Sequence, residues 1–186
     1  NNWEATYFNF NEEKILKIAE KAKNLGVELF VLDDGWFGKR DDSGSSLGDW
    51  YSDLDKLPEG VEGLSRKIEA MGLKFGLWFE PEMVNKISRL FEEHPDWVIK
   101  TPGRHMSHGR NQYVLDFSNP AVVDHIYQMM KNHAIPDIIH RMYMSGSRYK
   151  IILNIIYFLR NFHLVKMLAL NMLVLIHPFK EAKLRQ

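Results

Sequence analysis

The strongest constraint on the fold of this chain is an alternation of short apolar runs with amphipathic segments of helical period. Two compact apolar runs of strand length occupy residues 27–32 and 73–79. Apolar residues recur at helical spacing in residues 12–25, 64–71 and 120–132. Short, nearly continuous apolar strands that alternate with amphipathic helices are typical of parallel β/α architecture, in which helices cover both faces of the sheet. We therefore predict an α/β fold.

Turn and cap residues predict where these elements begin and end. Asn9 and Glu12 have the spacing of a capping box, and Gly26 is placed to end the first long helix. Asn119 followed by Pro120 predicts the start of the last one. Further predicted elements are strands over residues 2–6 and 112–116 and a helix over residues 85–93. The pattern amounts to about four β/α units, and it leaves open a doubly wound sheet or half of a (β/α)8 barrel.

The chain changes composition sharply near residue 137. Residues 1–137 contain 16 Lys and Arg against 23 Asp and Glu, whereas residues 138–186 contain 8 against one. All five Trp lie at or before Trp97, and eleven of the twelve Gly lie at or before Gly109. The net charge of zero is therefore the sum of an acidic and a basic part. We predict a folded domain over residues 1–133 and an aberrant basic, apolar tail over residues 134–186.

Composition also argues against several classes of protein. The absence of Cys removes disulfides and thiolate metal sites, and the net charge of zero gives no sign of a nucleic-acid partner. The apolar stretch over residues 164–176 is shorter than the roughly 20 residues that span a bilayer, so we expect no membrane association. A basic amphipathic surface segment is the alternative, formed around Arg141, Arg148, Lys150, Arg160 and Lys166. No signal peptide precedes the first strand, so we expect a cytoplasmic protein.

Carboxylates and indoles follow the predicted strands at their carboxyl ends. Asp33 and Asp34 follow the first apolar run, Trp78 and Glu80 follow the second, and Asp116 follows the last strand. Parallel β/α folds bind ligands at this edge. Carboxylates accept hydrogen bonds from sugar hydroxyls, while an indole face covers the apolar side of a sugar ring. The alternatives are turn formation by the Asp pair, core packing by the Trp residues and a solvated helix start at Glu80.

The motifs taken together carry a resemblance that none of them carries alone. They include Asn1-Asn2-Trp3-Glu4, Asp33-Asp34-Gly35-Trp36 and Trp78-Phe79-Glu80-Pro81-Glu82, within residues 1–8, 30–42, 47–50, 76–84, 94–97 and 109–112. In this order they closely resemble the catalytic barrel of the microbial α-galactosidases of glycoside hydrolase family 36. The resemblance covers residues 1–133 and implies a partial (β/α)8 TIM barrel, about the first four β/α units, followed by a tail that does not match.

The resemblance also implies a substrate and the residues that bind it. It implies retaining hydrolysis of terminal α-linked galactose, as in melibiose and raffinose, without a cofactor or a metal. By resemblance, Asp33 and Asp34 bind galactose hydroxyls, Trp3 lines the pocket, Trp78 contacts the sugar and Arg110 reaches the site. Two further tryptophans, Trp36 and Trp50, are expected in a pocket wall or a loop, with no direct role. His105 and His108 show no metal-ligand grouping.

The sequence departs from the family where the catalytic carboxylates should follow. The nucleophile of the family ends a strand in a Lys-Trp-Asp segment, whereas residues 135–143 read Ile-Pro-Asp-Ile-Ile-His-Arg-Met-Tyr. Between Asp137 and Glu181 there is no carboxylate, so we assign neither a nucleophile nor an acid/base. We expect an inactive chain of α-galactosidase lineage, with a non-catalytic galactoside-binding fragment as the alternative. The tail has the composition of AT-rich DNA translated out of frame, which is our hypothesis for its origin.

Overall fold

A computed structural model describes residues 1–104 and 111–132 of this chain. Its helices are α1 (Trp3–Thr6), α2 (Glu12–Asn24), α3 (Gly60–Ala70), α4 (Arg89–Glu93) and α5 (Pro120–Asn132), and its strands are β1 (Leu29–Leu32), β2 (Lys74–Leu77), β3 (Met83–Asn85) and β4 (Gln112–Val114). The mixture of helices and short strands confirms the predicted α/β class. The proposed boundary between residues 133 and 134 and the whole tail lie outside the described residues.

The β1–α3–β2 segment is the parallel unit that the sequence predicts. Strands β1 and β2 pair in parallel, with Leu29 opposite Lys74 and Leu32 opposite Leu77. Helix α3 buries Leu64 and Ile68 completely. Both strands are buried along most of their length, as their nearly continuous apolar sequence predicts.

The prediction of parallel strands throughout is wrong after β2. Strands β3 and β4 pair antiparallel, with Met83 opposite Val114 and Asn85 opposite Gln112. The predicted helix over residues 85–93 is shorter, because β3 takes up Asn85 and the side chain of Ser88 caps α4 by accepting from the Phe91 N–H. Among the strands of residues 1–104 and 111–132, only β1 and β2 pair in parallel.

Two predictions near the N-terminus are also wrong in detail. Residues 2–6 form no strand, because the Asn2 carbonyl accepts the N–H groups of Ala5 and Thr6 and winds the segment into α1. Helix α2 is capped by Asn11, whose Oδ1 accepts from the Lys14 N–H at 3.0 Å, and Asn9 is not the cap. The predicted end of α2 is confirmed by Gly26, which has a φ of 81°.

Aromatic side chains fill the centre of the described core. Trp36, Phe37 and Trp50 are wholly buried, and Phe79 is 5% exposed. Their ring centroids lie 4.3–6.0 Å apart in edge-on and tilted contacts, which aromatic pairs favour. This cluster contacts Trp78, the residue that directly follows β2.

Candidate functional site

The first half of the candidate site is the point where β1 and β2 end side by side. The Trp78 N–H donates to the Leu32 carbonyl at 2.9 Å, and this bond closes the last pair of the two strands, Leu32 opposite Leu77. Asp33 and Trp78 directly follow the two residues of this last pair, so they leave the ends of neighbouring strands side by side. Both are half-buried, so each presents part of its side chain to solvent.

The N-terminal segment is tied to the same edge through two asparagines. The Asn1 Nδ2 group donates to Asp33 Oδ2 at 2.7 Å, and the Asp33 N–H donates to Asn2 Oδ1 at 2.8 Å. Asn2 is wholly buried, which anchors Trp3 directly after it. The Trp3 indole is half-buried and meets the rings of Tyr7 and Phe8 edge-on, with centroids 5.1 and 5.2 Å apart. The structure thus brings the segments of Trp3, Asp33 and Trp78 to one sheet edge.

The second acid of the Asp pair has a different environment. Asp34 is 4% exposed, and the guanidinium of Arg40 grips its carboxylate with two parallel hydrogen bonds of 2.9 Å. Arg40 is itself wholly buried and also donates to Asn85 Oδ1 at 2.8 Å. Sequence reasoning missed Arg40 and Asn85. Nothing in the local sequence marks either residue, since Arg40 lies in a predicted loop and Asn85 in a predicted helix.

Partial burial changes the pKa of Asp33, the acid of the pair that Arg40 does not contact. The pKa of the Asp33 carboxyl is raised, mainly because the group is partly desolvated, while the Asp34 N–H that it accepts at 2.8 Å opposes the rise. The pKa of Glu82, in the segment after Trp78, is raised by burial as well. A carboxylate that has lost part of its hydration is a stronger acceptor for a hydroxyl donor than one in bulk water.

The aromatic residues divide into those that can reach a ligand and those that cannot. Trp36 and Trp50 lie outside the helices and strands, as the loop alternative predicts, and both are wholly buried in the core, so neither is exposed in a pocket wall. They instead support Trp78, because Trp36 Nε1 donates to the Trp78 carbonyl at 3.0 Å and the Trp50 ring lies 6.1 Å from the Trp78 ring. The Phe37 ring is parallel to the Trp78 indole within 11°, at 6.4 Å.

Other predicted features lie outside the candidate site or outside the described residues. Arg110, His105 and His108 belong to residues 105–110, which the structure does not describe. Among the residues it does describe, no three His, Asp or Glu side chains are grouped as metal ligands require. No helix in that part of the chain has the length and apolar character of a membrane span.

Comparison with known proteins decides the lineage of the chain. The model of the family described as Melibiase matches residues 1–147. The chain belongs to the Melibiase family. The match extends past residue 133, where the resemblance noted in the sequence ends.

Related proteins of known activity are α-galactosidases. α-Galactosidase AgaA of Geobacillus stearothermophilus is 57% identical over 132 residues, and Mel36A of Lactobacillus acidophilus is 55% identical over 130 residues. These alignments cover 71% and 70% of this chain but only 18% of each relative. The chain therefore spans less than a fifth of the length of these Melibiase relatives.

Solved structures lead to the same lineage. The crystal structure of AgaA, a GH36 α-galactosidase, has a TM-score of 0.70 and 56% identity, and the match covers 72% of this chain and 19% of AgaA. A variant of AgaA in complex with raffinose has a TM-score of 0.69 at 56% identity, covering 71% and 18%. At this identity, the likeness extends to sequence as well as to fold, and it confirms the resemblance to family 36.

Proposed function

We propose that this member of the Melibiase family carries part of a galactoside-binding surface and does not hydrolyse galactosides by itself. The observation that carries the proposal is that Asp33 and Trp78 directly follow the paired residues Leu32 and Leu77 at the shared end of β1 and β2. Variants of the related α-galactosidase AgaA have been solved in complex with raffinose and with stachyose. These support a sugar rather than another ligand at the same edge.

The chemistry of this edge suits the two sides of a galactose ring. Each Asp33 oxygen accepts one hydrogen bond, from Asn1 Nδ2 or from the Asp34 N–H, so each keeps one acceptor position for a sugar hydroxyl. The indole of Trp78 offers an apolar face for the C–H groups of the ring. Asp33 is therefore the hydroxyl acceptor and Trp78 the ring contact in this proposal, with Trp3 beside them.

Hydrolysis with retention requires two further carboxyl groups. One carboxylate forms a covalent bond to the sugar and a second carboxylic acid protonates the leaving oxygen, with the two groups about 5–5.5 Å apart. Residues 135–143 lack the Lys-Trp-Asp segment of the family, and the next acid after Asp137 is Glu181. The proposed chain therefore binds without turnover, because it lacks the nucleophile and the acid that retaining hydrolysis requires.

Binding and turnover are separated by two measurements on the full chain. Titration calorimetry with methyl α-galactoside should show binding, and p-nitrophenyl α-galactoside should release no nitrophenol. Asp33→Asn should weaken binding by about tenfold or more, the value of a hydrogen bond to a charged acceptor. The exposed Asp96, changed to Asn, is the matched control and should leave binding unchanged.

The indole has its own variant and control. Trp78→Ala should abolish measurable binding, whereas Trp97→Ala should retain it, because the half-buried Trp97 stacks on His94 at 3.8 Å instead. The absence of binding by the wild-type chain, or equal losses in the paired variants, would overturn the proposal. Release of nitrophenol would establish the enzyme instead.

The missing carboxylates have a proposed genetic origin that is tested separately. If the tail is read out of frame, the nucleotide sequence downstream of codon 134 should encode a Lys-Trp-Asp segment in one of the two other frames. A gene in which neither frame encodes such a segment refutes this origin and leaves the binding proposal as it stands.

A further inference from the structure

Arg40 is a fully buried cation in the segment that leaves the sheet after β1. Burying a charge is costly unless it is paired and hydrogen-bonded, so the partners of a buried Arg indicate its role. Two of its donors, Nε and Nη2, go to the two oxygens of Asp34. This bidentate arrangement fixes the plane of the carboxylate as well as its position.

The guanidinium is in turn held from its other end. Its Nη1 group donates to the Ser45 carbonyl at 2.7 Å and to Asn85 Oδ1 at 2.8 Å. The rings of Phe8 and Phe37 flank its carbon at 5.5 and 5.8 Å, which favours a cation over an aromatic face. Arg40 therefore has few ways to move without breaking a contact.

Asn85 is the fixed end of this network. Its Oδ1 accepts from Arg40 and from the Leu47 N–H at 2.9 Å, and its Nδ2 donates to the carbonyls of Ser43 and Asn111 at 3.3 and 2.9 Å. These four bonds use the donors and acceptors that an amide offers, so the amide cannot turn without loss. Asn85 thereby fixes the position of Arg40 relative to strand β3, which is not part of the β1–β2 pair.

We propose that Arg40, held by Asn85, is a positioning residue that aims the Asp34 carboxylate at a single hydroxyl of the galactoside. The inference rests on the proposed function. Each Asp34 oxygen spends one acceptor position on Arg40 and retains another. Asp34 is 4% exposed, so little of its carboxylate is hydrated. A site that holds its polar groups in advance binds without the entropic cost of ordering them.

The test compares methyl α-galactoside with its four monodeoxy analogues by calorimetry. In the wild-type chain, one analogue should bind about tenfold more weakly than the parent because it lacks the hydroxyl that Asp34 accepts. Arg40→Lys cannot reproduce the two parallel bonds. Arg40→Lys should weaken the binding of methyl α-galactoside about tenfold and leave the affinity for the analogue without that hydroxyl nearly unchanged. A loss of similar size for all five ligands is the result of a purely structural role and overturns the inference.

A mutant cycle adds a second criterion. If Arg40 acts through Asp34, then Arg40→Lys should cause no further loss of affinity in an Asp34→Asn background. Additive losses overturn the inference. Arg66→Lys is the matched control, since Arg66 is exposed and lies 3.6 Å from Glu59. It should keep the wild-type profile of all five ligands.

Two outcomes keep this inference distinct from the proposed function. A wild-type chain that binds none of the five ligands overturns both, whereas binding with an unaltered deoxy profile in Arg40→Lys overturns the positioning role alone. If Arg40→Lys does not fold, Phe8→Leu serves instead, because it removes one of the two rings that flank the guanidinium and so loosens its hold on Asp34. It should weaken the same hydroxyl contact by a smaller factor. An unchanged profile overturns the inference, and so does an equal loss for all five ligands, which is the effect expected through the Trp3 ring that Phe8 also contacts.

Discussion

Replacing Asn85 by Ala should destabilise the chain far more than an ordinary Asn substitution. Asn85 is wholly buried and makes four hydrogen bonds. The substitution leaves the buried N–H of Leu47 without its acceptor, at about 1–3 kcal/mol, and removes a charge-assisted bond from Arg40, at about 1.5–3 kcal/mol. We expect a loss of about 3–5 kcal/mol in the free energy of unfolding, a large share of the roughly 5–15 kcal/mol typical of a domain.

Urea denaturation followed by tryptophan fluorescence measures this loss, and all five Trp lie within residues 3–97. Asn11→Ala is the control, because the exposed Asn11 makes one capping bond to the Lys14 N–H and should cost about 1 kcal/mol. The urea midpoint should fall without a change in the slope of the transition. A loss for Asn85→Ala no greater than that of Asn11→Ala would refute the reasoning that the buried amide holds this network.

Three further predictions concern the core, a turn and a histidine. Trp36→Ala should cost about 3–5 kcal/mol by leaving a cavity, whereas Leu25→Ala, at an 84% exposed position, should stay within about 0.5 kcal/mol in the same urea assay. Gly38→Ala should lower the melting temperature more than Gly26→Ala. Both glycines have positive φ, but a Cβ at Gly38 would lie 2.8 Å from a neighbouring side-chain carbon, while Gly26 has open space. Burial lowers the folded-state pKa of His125, so the unfolded chain binds the proton first and stability should fall as the pH drops below about 6.5. The urea midpoint should fall between pH 7.5 and pH 5.5 by more in the wild type than in His125→Gln.

Local patterns predict the parts of this fold that depend on local contacts. Helices α2 and α5 are confirmed, since apolar spacing and end signals such as Gly26 and Asn119-Pro120 act within a few residues of each other. The cores of β1 and β2 are confirmed for the same reason. The strand predicted over residues 2–6 is wrong because its backbone bonds go to Asn2 within the segment, and alternation over five residues does not distinguish the two outcomes.

The residues of the candidate site could also be predicted only in part. Asp33 and Trp78 could be selected from sequence, because residues that follow parallel strands must meet at one edge once the strands pair. The burial of Trp36 and Trp50 could not be predicted from sequence, since the same residue type can line a pocket or fill a core. Whether Arg110 reaches the site stays a prediction.

The amino-acid sequence by itself determined the lineage of this chain, the α/β class and the acids and indoles that end its first two strands, because these depend on residue identity and short-range periodicity. Only the tertiary structure decided that β3 and β4 run antiparallel and that Asp34, Arg40 and Asn85 form one buried network. Asp34 and Asn85 are joined through a guanidinium 45 residues away from the amide it contacts. Such a contact depends on the path of the whole intervening chain, which no local pattern encodes.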